Sequence, residues 1–102
     1  MNTIDKEGQL KTRRAILKSL RKELKRAWHP RTQEVISGLI EAHVQAISFI
    51  KKDMYTGKVE IDIESKINGL THVRQELSYF EKTLEAYFFV RLSLGNFGRE
   101  ED

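Results

Sequence analysis

The residues of this chain best suited to metal or proton chemistry are its three histidines, His29, His43 and His72. His72 and Glu76 stand four apart, so on a helix they share a face, as two metal ligands might. No second histidine pair lies near them, and the reading preferred is an exposed hydrogen-bonded pair. His43 falls among Leu39, Ile40, Val44 and Ile47 and reads as a core histidine whose polar atoms find partners. The chain has no cysteine, which excludes disulfides, thiolate metal sites and a cysteine nucleophile. It also lacks a phosphate loop, a dinucleotide fingerprint and a nucleophile elbow. Gly95-Asn96-Phe97-Gly98 superficially resembles a glycine loop, but it follows a helical pattern instead of preceding one. No catalytic residue, metal or cofactor is expected, and the chain does not read as an enzyme.

Two other patterns carry a functional signal. The first is a run of cations, Lys11, Arg14, Lys18, Arg21, Lys22, Lys25 and Arg26, placed opposite a narrow apolar stripe. Such a face could neutralise several phosphates and give salt-dependent, sequence-independent binding. No aromatic residues interleave with these charges, so stacking on single-stranded bases is not supported. The competing reading is a solvated face, partly paired with the acidic second half of the chain. Residues 1–52 carry 12 Lys and Arg against 5 Asp and Glu, whereas residues 53–102 carry 6 against 10. A net +7 thus faces a net −4, an asymmetry that serves an anionic partner or draws the halves together.

The second pattern is the cluster Tyr79, Phe80, Tyr87, Phe88, Phe89 and Phe97. One helix face cannot hold all six. Positions 79, 80, 87 and 88 are expected to face the bundle, with Phe89 and Val90 pointing elsewhere. The surplus marks Tyr87, Phe88, Phe89, Arg91 and Phe97 as a candidate interface for a protein partner or a second copy. Tyr87 and Arg91 are one turn apart, and Arg91 is expected to pair with Glu41, Asp53 or a partner's carboxylate.

The elements that position these residues follow from periodicity. From Gln9 to Trp28, Leu10, Leu17, Leu20, Leu24 and Ala27 recur at helical spacing. His29-Pro30 stops that helix and opens the next, from Arg31 to Met54. Its apolar residues (Val35, Ile36, Leu39, Ile40, Val44, Ala46, Ile47, Phe49 and Ile50) cover more than one stripe, as in the middle of a bundle. Gly38 inside it implies the close approach of another helix. Thr56-Gly57 ends it. Val59, Ile61 and Ile63 alternate with polar residues and predict an extended connector, with Asp62 as N-cap. The last helix spans Glu64 to Leu94 on Ile67, Leu70, Val73, Leu77, Phe80, Leu84, Tyr87, Phe88 and Leu92, with Asn68-Gly69 as its weak point. Gly95 to Gly98 end it.

The fold class expected is therefore all-α, a bundle of three main helices with a long C-terminal helix, forming one domain over residues 1–102 with residues 1–8 and 98–102 flexible. The start, Met1 to Leu10, has no apolar core like a signal sequence, and the longest apolar run, Ala86 to Val90, is too short to span a bilayer. An intracellular location and no membrane partner are expected.

Glu76-Leu77, Tyr87, Arg91-Leu92-Ser93 and Phe97 together resemble the last helix of the helical domain in GINS complex subunits, particularly the SLD-type subunit. There an acidic residue and leucine precede a tyrosine, an arginine-leucine pair and a phenylalanine at similar intervals. Leu24 and Trp28 resemble the leucine and tryptophan near the end of that family's first helix. The order of segments agrees over roughly residues 17–97, the helical domain alone. The resemblance implies a non-enzymatic scaffold subunit acting with sibling subunits and the replicative helicase in DNA replication. Glu76, Tyr87 and Arg91 would then be bundle and interface residues. The alternative is a small basic nucleic-acid-associated regulator, of the kind a phage might encode, acting through its first helix.

Overall fold

The computed structural model describes the backbone of residues 6–101 and the side chains of residues 6–88, 90 and 91. It consists of three helices in sequence: α1 (Lys6–Arg26), α2 (Pro30–Lys51) and α3 (Gly57–Glu101). α2 is the middle layer and packs against both α1 and α3. Its breadth of apolar residues requires this arrangement, since Ile36, Leu39, Ala42, Ala46, Ile47 and Ile50 cannot be covered from one side. Leu20, Ile36, Leu39, Ala42, Ala46, Ile63 and Ile67 form the larger core cluster, and Leu10, Leu17, Ile47 and Ile50 a second one toward the other end. Val44 belongs to neither. It lies on the outer side of α2 and is exposed.

The α1–α2 corner follows the signals expected of it. Pro30 takes the first helical position, where its missing N–H costs nothing, and His29 is the N-cap, its Nδ1 accepting from the Arg31 N–H at 3.2 Å. α1 begins at Lys6, earlier than the stripe predicts, and ends at Arg26.

The α2–α3 corner departs from expectation. α2 ends at Lys51, and the reversal is made by Asp53, whose φ of 56° is left-handed. The Met54 N–H bonds the Phe49 carbonyl at 2.8 Å and the Asp53 N–H bonds that of Ile50 at 3.1 Å, a Schellman closure made without glycine. Gly57 is the first residue of α3, and Thr56 is its N-cap: the Thr56 hydroxyl accepts from the Val59 N–H at 3.3 Å. The predicted connector over residues 58–64 is therefore helix, and Asp62 lies inside it, exposed. The alternation misled because Val59 and Ile63 are four apart as well as alternating. Both turn inward, and Ile61 between them is 70% exposed.

α3 also runs unbroken through Asn68-Gly69 and on through residues 95–98 to Glu101. No glycine among the described residues has a positive φ. Glycine permits a break but does not impose one, and nothing on the far side of either site requires the chain to turn.

α3 has 45 residues and α2 has 22. At about 1.5 Å per residue α3 is about 67 Å long, and it accounts for the 69 Å long axis of the molecule. Its first half packs along α2. Gly38 is a point of close approach: a Cβ there would sit 3.3 Å from both Leu70 methyl carbons. Gly38→Val should therefore push the two helices apart and lower stability by about 1–3 kcal/mol, read from the urea midpoint. An unchanged midpoint would mean that this contact relaxes freely.

Candidate interaction surfaces

Arg13 is the one cation of α1 that turns inward. Counted from Leu10 it is three residues on, and from Leu17 four back, so it fills the gap in the apolar stripe between them. Its guanidinium donates to Glu64 Oε1 at 2.8 Å, to the Tyr55 hydroxyl at 3.1 Å and to His43 Nδ1 at 3.2 Å. It also stands over the Tyr55 ring, 5.7 Å from its centre. Four side chains from α1, α2, α3 and the corner before α3 thus meet around one charge.

This fixes the state of His43. An arginine has donors only, so the Nδ1 it reaches must carry a lone pair, and the ring is neutral with its proton on Nε2. Burial, followed by the nearby Arg13 charge, pushes the imidazole below its ordinary pKa; Glu64 opposes the shift only in part. The expected core histidine is therefore present, with Arg13 as its partner. Tyr55 is raised above its ordinary range, first by burial, with Arg13 pulling the other way.

A second ion pair joins α1 to α3 nearly three turns further along. Arg74 Nη2 and Nε reach Glu23 at 2.9 and 3.1 Å. Between the two crossings lies an open groove of about 1120 Å³, floored by Leu39, lined by Ile16, Leu20 and Ile67, and edged by Arg13 and Arg74. A third pair, Lys6 to Asp53 at 2.9 Å, ties the start of α1 to the corner before α3. It is exposed and contributes little. The attraction between the basic and acidic halves thus runs through Lys6 and Arg13, with Glu23–Arg74 in the reverse sense.

None of the seven cations singled out on α1 takes part. Lys11, Arg14, Lys18, Arg21, Lys22, Lys25 and Arg26 are all exposed, and no ion pair among the described residues uses them. At about 100° per residue they occupy an arc of about 140° turned away from the core. The expected partial neutralisation of this face by the second half is not seen.

The aromatic cluster departs further from expectation. Tyr79 is 76% exposed, Phe80 48%, Tyr87 55% and Phe88 51%, so the four do not face a bundle. The cause is position along α3. Phe80 lies beside His29 at the head of α2, with ring centres 6.1 Å apart, and beyond it α2 has ended. From Glu85 to Arg91 every described side chain is exposed. Tyr87 and Phe88 touch edge to face, 5.8 Å apart. Arg91 is exposed and bonds neither of its expected partners: Asp53 holds Lys6, and Glu41 is exposed on α2. The side chains of Phe89 and Phe97 lie outside the described residues. Trp28, 48% exposed, flanks the same end of the molecule against His29.

His72 and Glu76 form the exposed pair expected of them, Nε2 to Oε1 at 3.3 Å. No cluster of three or more metal-ligating side chains occurs among the described residues. No helix among them is long and apolar enough to cross a membrane. Compared with known proteins, the chain matches no family model, no curated protein and no solved structure.

Because the folded pKa of His43 is lowered, the unfolded chain takes up the proton first as pH falls below 6.5. The stabilising contribution of neutral His43 is complete above that pH and is lost on going down through the folded value. The melting temperature should therefore fall between pH 7 and pH 5 more steeply in the wild type than in His43→Gln, which keeps an acceptor for Arg13. Parallel curves for the two proteins would remove His43 from the account.

Proposed function

We propose that this protein is a non-enzymatic helical interaction module that binds a protein partner through the projecting half of α3. The supporting observation is the exposure of Phe80, Tyr87, Phe88 and Val90 on a helix that has outrun α2. Rings bury 150–250 Å² each when covered, so a helix presenting several of them to water gains by meeting another surface. The helix N-terminal to them is held by α2 and by the Arg13 and Arg74 ion pairs, which keeps the presenting segment in a fixed direction. Helix-to-helix docking of this kind needs no catalytic group.

The narrower form of this reading is a GINS-like scaffold subunit. What supports it is the sequence pattern of Glu76-Leu77, Tyr87 and Arg91-Leu92 on one helix, together with the order of a basic helix, an apolar helix and a long last helix. In that form the partners are sibling helical subunits, and the projecting half of α3 is where they meet.

A second reading, a nucleic-acid-associated regulator, is favoured by one observation: the seven cations of α1 remain exposed and unpaired with the acidic half. Its site is the solvent-facing side of α1, with Lys11 at the edge of the groove between α1 and α3, and it uses none of the aromatic residues of α3.

Arg91→Ala separates an interface from an internal contact. Since Arg91 is exposed and bonds no described residue, the substitution should leave stability within about 0.5 kcal/mol while weakening assembly. Thermal melting and solution mass, measured together, check it. A loss of about 2 kcal/mol with assembly intact would place Arg91 inside the fold. For the second reading, Lys18→Glu, Lys22→Glu and Lys25→Glu combined should abolish duplex binding and take roughly three units from the salt slope. Affinity that survives the triple change would remove α1 as the site.

A further inference from the structure

The groove between α1 and α3 holds hydrogen-bond donors that the fold leaves unused. A guanidinium carries five N–H bonds. Arg13 gives three of them, to Glu64, Tyr55 and His43, which leaves two. His43 is only 6% exposed, and its Nδ1 is occupied by Arg13. The ring proton is therefore on Nε2, which meets no acceptor among the described residues and is not sealed from solvent. Both side chains line the groove, so their free donors open onto it. A largely buried donor is costly when unmet, so water or a ligand must supply an acceptor there.

We propose that this groove binds a single-chain amphiphilic anion. Its carboxylate meets the Nε2–H of His43 and the free N–H groups of Arg13, and its acyl chain lies along Ile16, Leu20, Leu39 and Ile67 toward Arg74. The site is independent of the interaction-module reading, since it uses no residue of α3 beyond Arg74.

Charge, length and wall height favour this occupant. The charged residues lining the groove are Lys11, Arg13 and Arg74 against Glu23 and Glu64, three cations to two carboxylates with His43 neutral. One anionic head balances that excess, whereas a cationic head would add to it beside a guanidinium. A neutral chain would leave the excess standing.

The Arg13–Glu64 and Glu23–Arg74 pairs are ten residues apart on α1 and again on α3, so they form two rungs about 15 Å apart. An extended eight-carbon chain is about 10 Å long and fits between them. A partner helix longer than about ten residues would have to displace the Arg74–Glu23 pair, which two nitrogens hold. The walls are low. Ala15 and Ser19 on α1 and Thr71 on α3 are small, and they leave open the space of about 1120 Å³ above the apolar floor. That is ample beside the roughly 300–1,000 Å³ of small-molecule clefts.

Calorimetric titration with sodium octanoate and, in parallel, with octanol tests the site. Octanoate should bind one to one with a Kd of about 1 mM or tighter. Octanol has the same chain and no charge, and should bind about tenfold more weakly or worse. Nitrogen NMR of histidine-labelled protein should show octanoate shifting the ring nitrogens of His43 while those of His29 and His72 stay in place. Thr71→Phe fills the groove with an apolar ring and should weaken octanoate by about tenfold or more. Ser19→Phe does the same from an exposed position on α1, should Thr71→Phe fail to fold. Lys18→Glu, Lys22→Glu and Lys25→Glu combined should leave the Kd within about threefold, because these charges lie off the groove and are screened. Absence of both heat and NMR shift at about 10 mM octanoate overturns the proposal. Equal affinity for octanol overturns it as well, because the carboxylate would then play no part. Binding that survives both groove-filling variants and is lost on lysine reversal places the anion on the outer face of α1, and overturns it too.

Discussion

The structure is governed by a mismatch of lengths. α3 is about twice as long as the helix it packs on, so one half of it can be buried within the chain and the other cannot. The half beside α2 holds Ile63 and Ile67 in the core and brings Leu70 against Gly38. The other half keeps an apolar pattern that in a short bundle would be core and here faces water. Hydrophobic burial favours covering that surface at roughly 25 cal/mol per Å², and no remaining part of the described chain is placed to cover it. The proposed interaction role rests on this exposure.

The half of α3 beside α2 is held by that helix and by two ion pairs to α1. α1 and α3 both pack on α2, and it is these two ion pairs that cross between them. Arg13 gathers Glu64, Tyr55 and His43, and Arg74 grips Glu23 with two nitrogens. A guanidinium suits both posts because its fixed fork of donors can satisfy several acceptors at once, which a lysine cannot. The Arg13 side chain is only 13% exposed, whereas that of Glu64 is 44% exposed, so removing the partners of Arg13 leaves the guanidinium the group least able to turn to water. The two crossings fix the direction in which α3 leaves the bundle.

Much of this was legible in the sequence, and the failures share a cause. The three helices, the Pro30 corner, the core histidine, the Gly38 approach and the exposed His72–Glu76 pair all follow from local chemistry or helical spacing. Arg13 escapes a reading that treats the cations of α1 as one face. Its place on the stripe, between Leu10 and Leu17, was the available signal. The strand-like alternation at Val59, Ile61 and Ile63 competed with a helical spacing of four, and packing on α2 decided in favour of helix. Asp53 replaced the expected glycine at the end of α2, which propensity alone does not reveal. The aromatic residues face outward against expectation because periodicity reports which residues share a face and carries no information on whether a neighbouring helix reaches that far.

Amide hydrogen exchange along α3, followed at low and high protein concentration, tests this account most directly. Residues 59–80 are held by α2 and the two arginine crossings, so their protection should be high and independent of concentration. The projecting half should exchange quickly when dilute and gain protection as concentration rises, because its burial depends on a second molecule. If both halves are equally protected at every concentration, α3 is stable without a partner and the length mismatch carries no functional consequence.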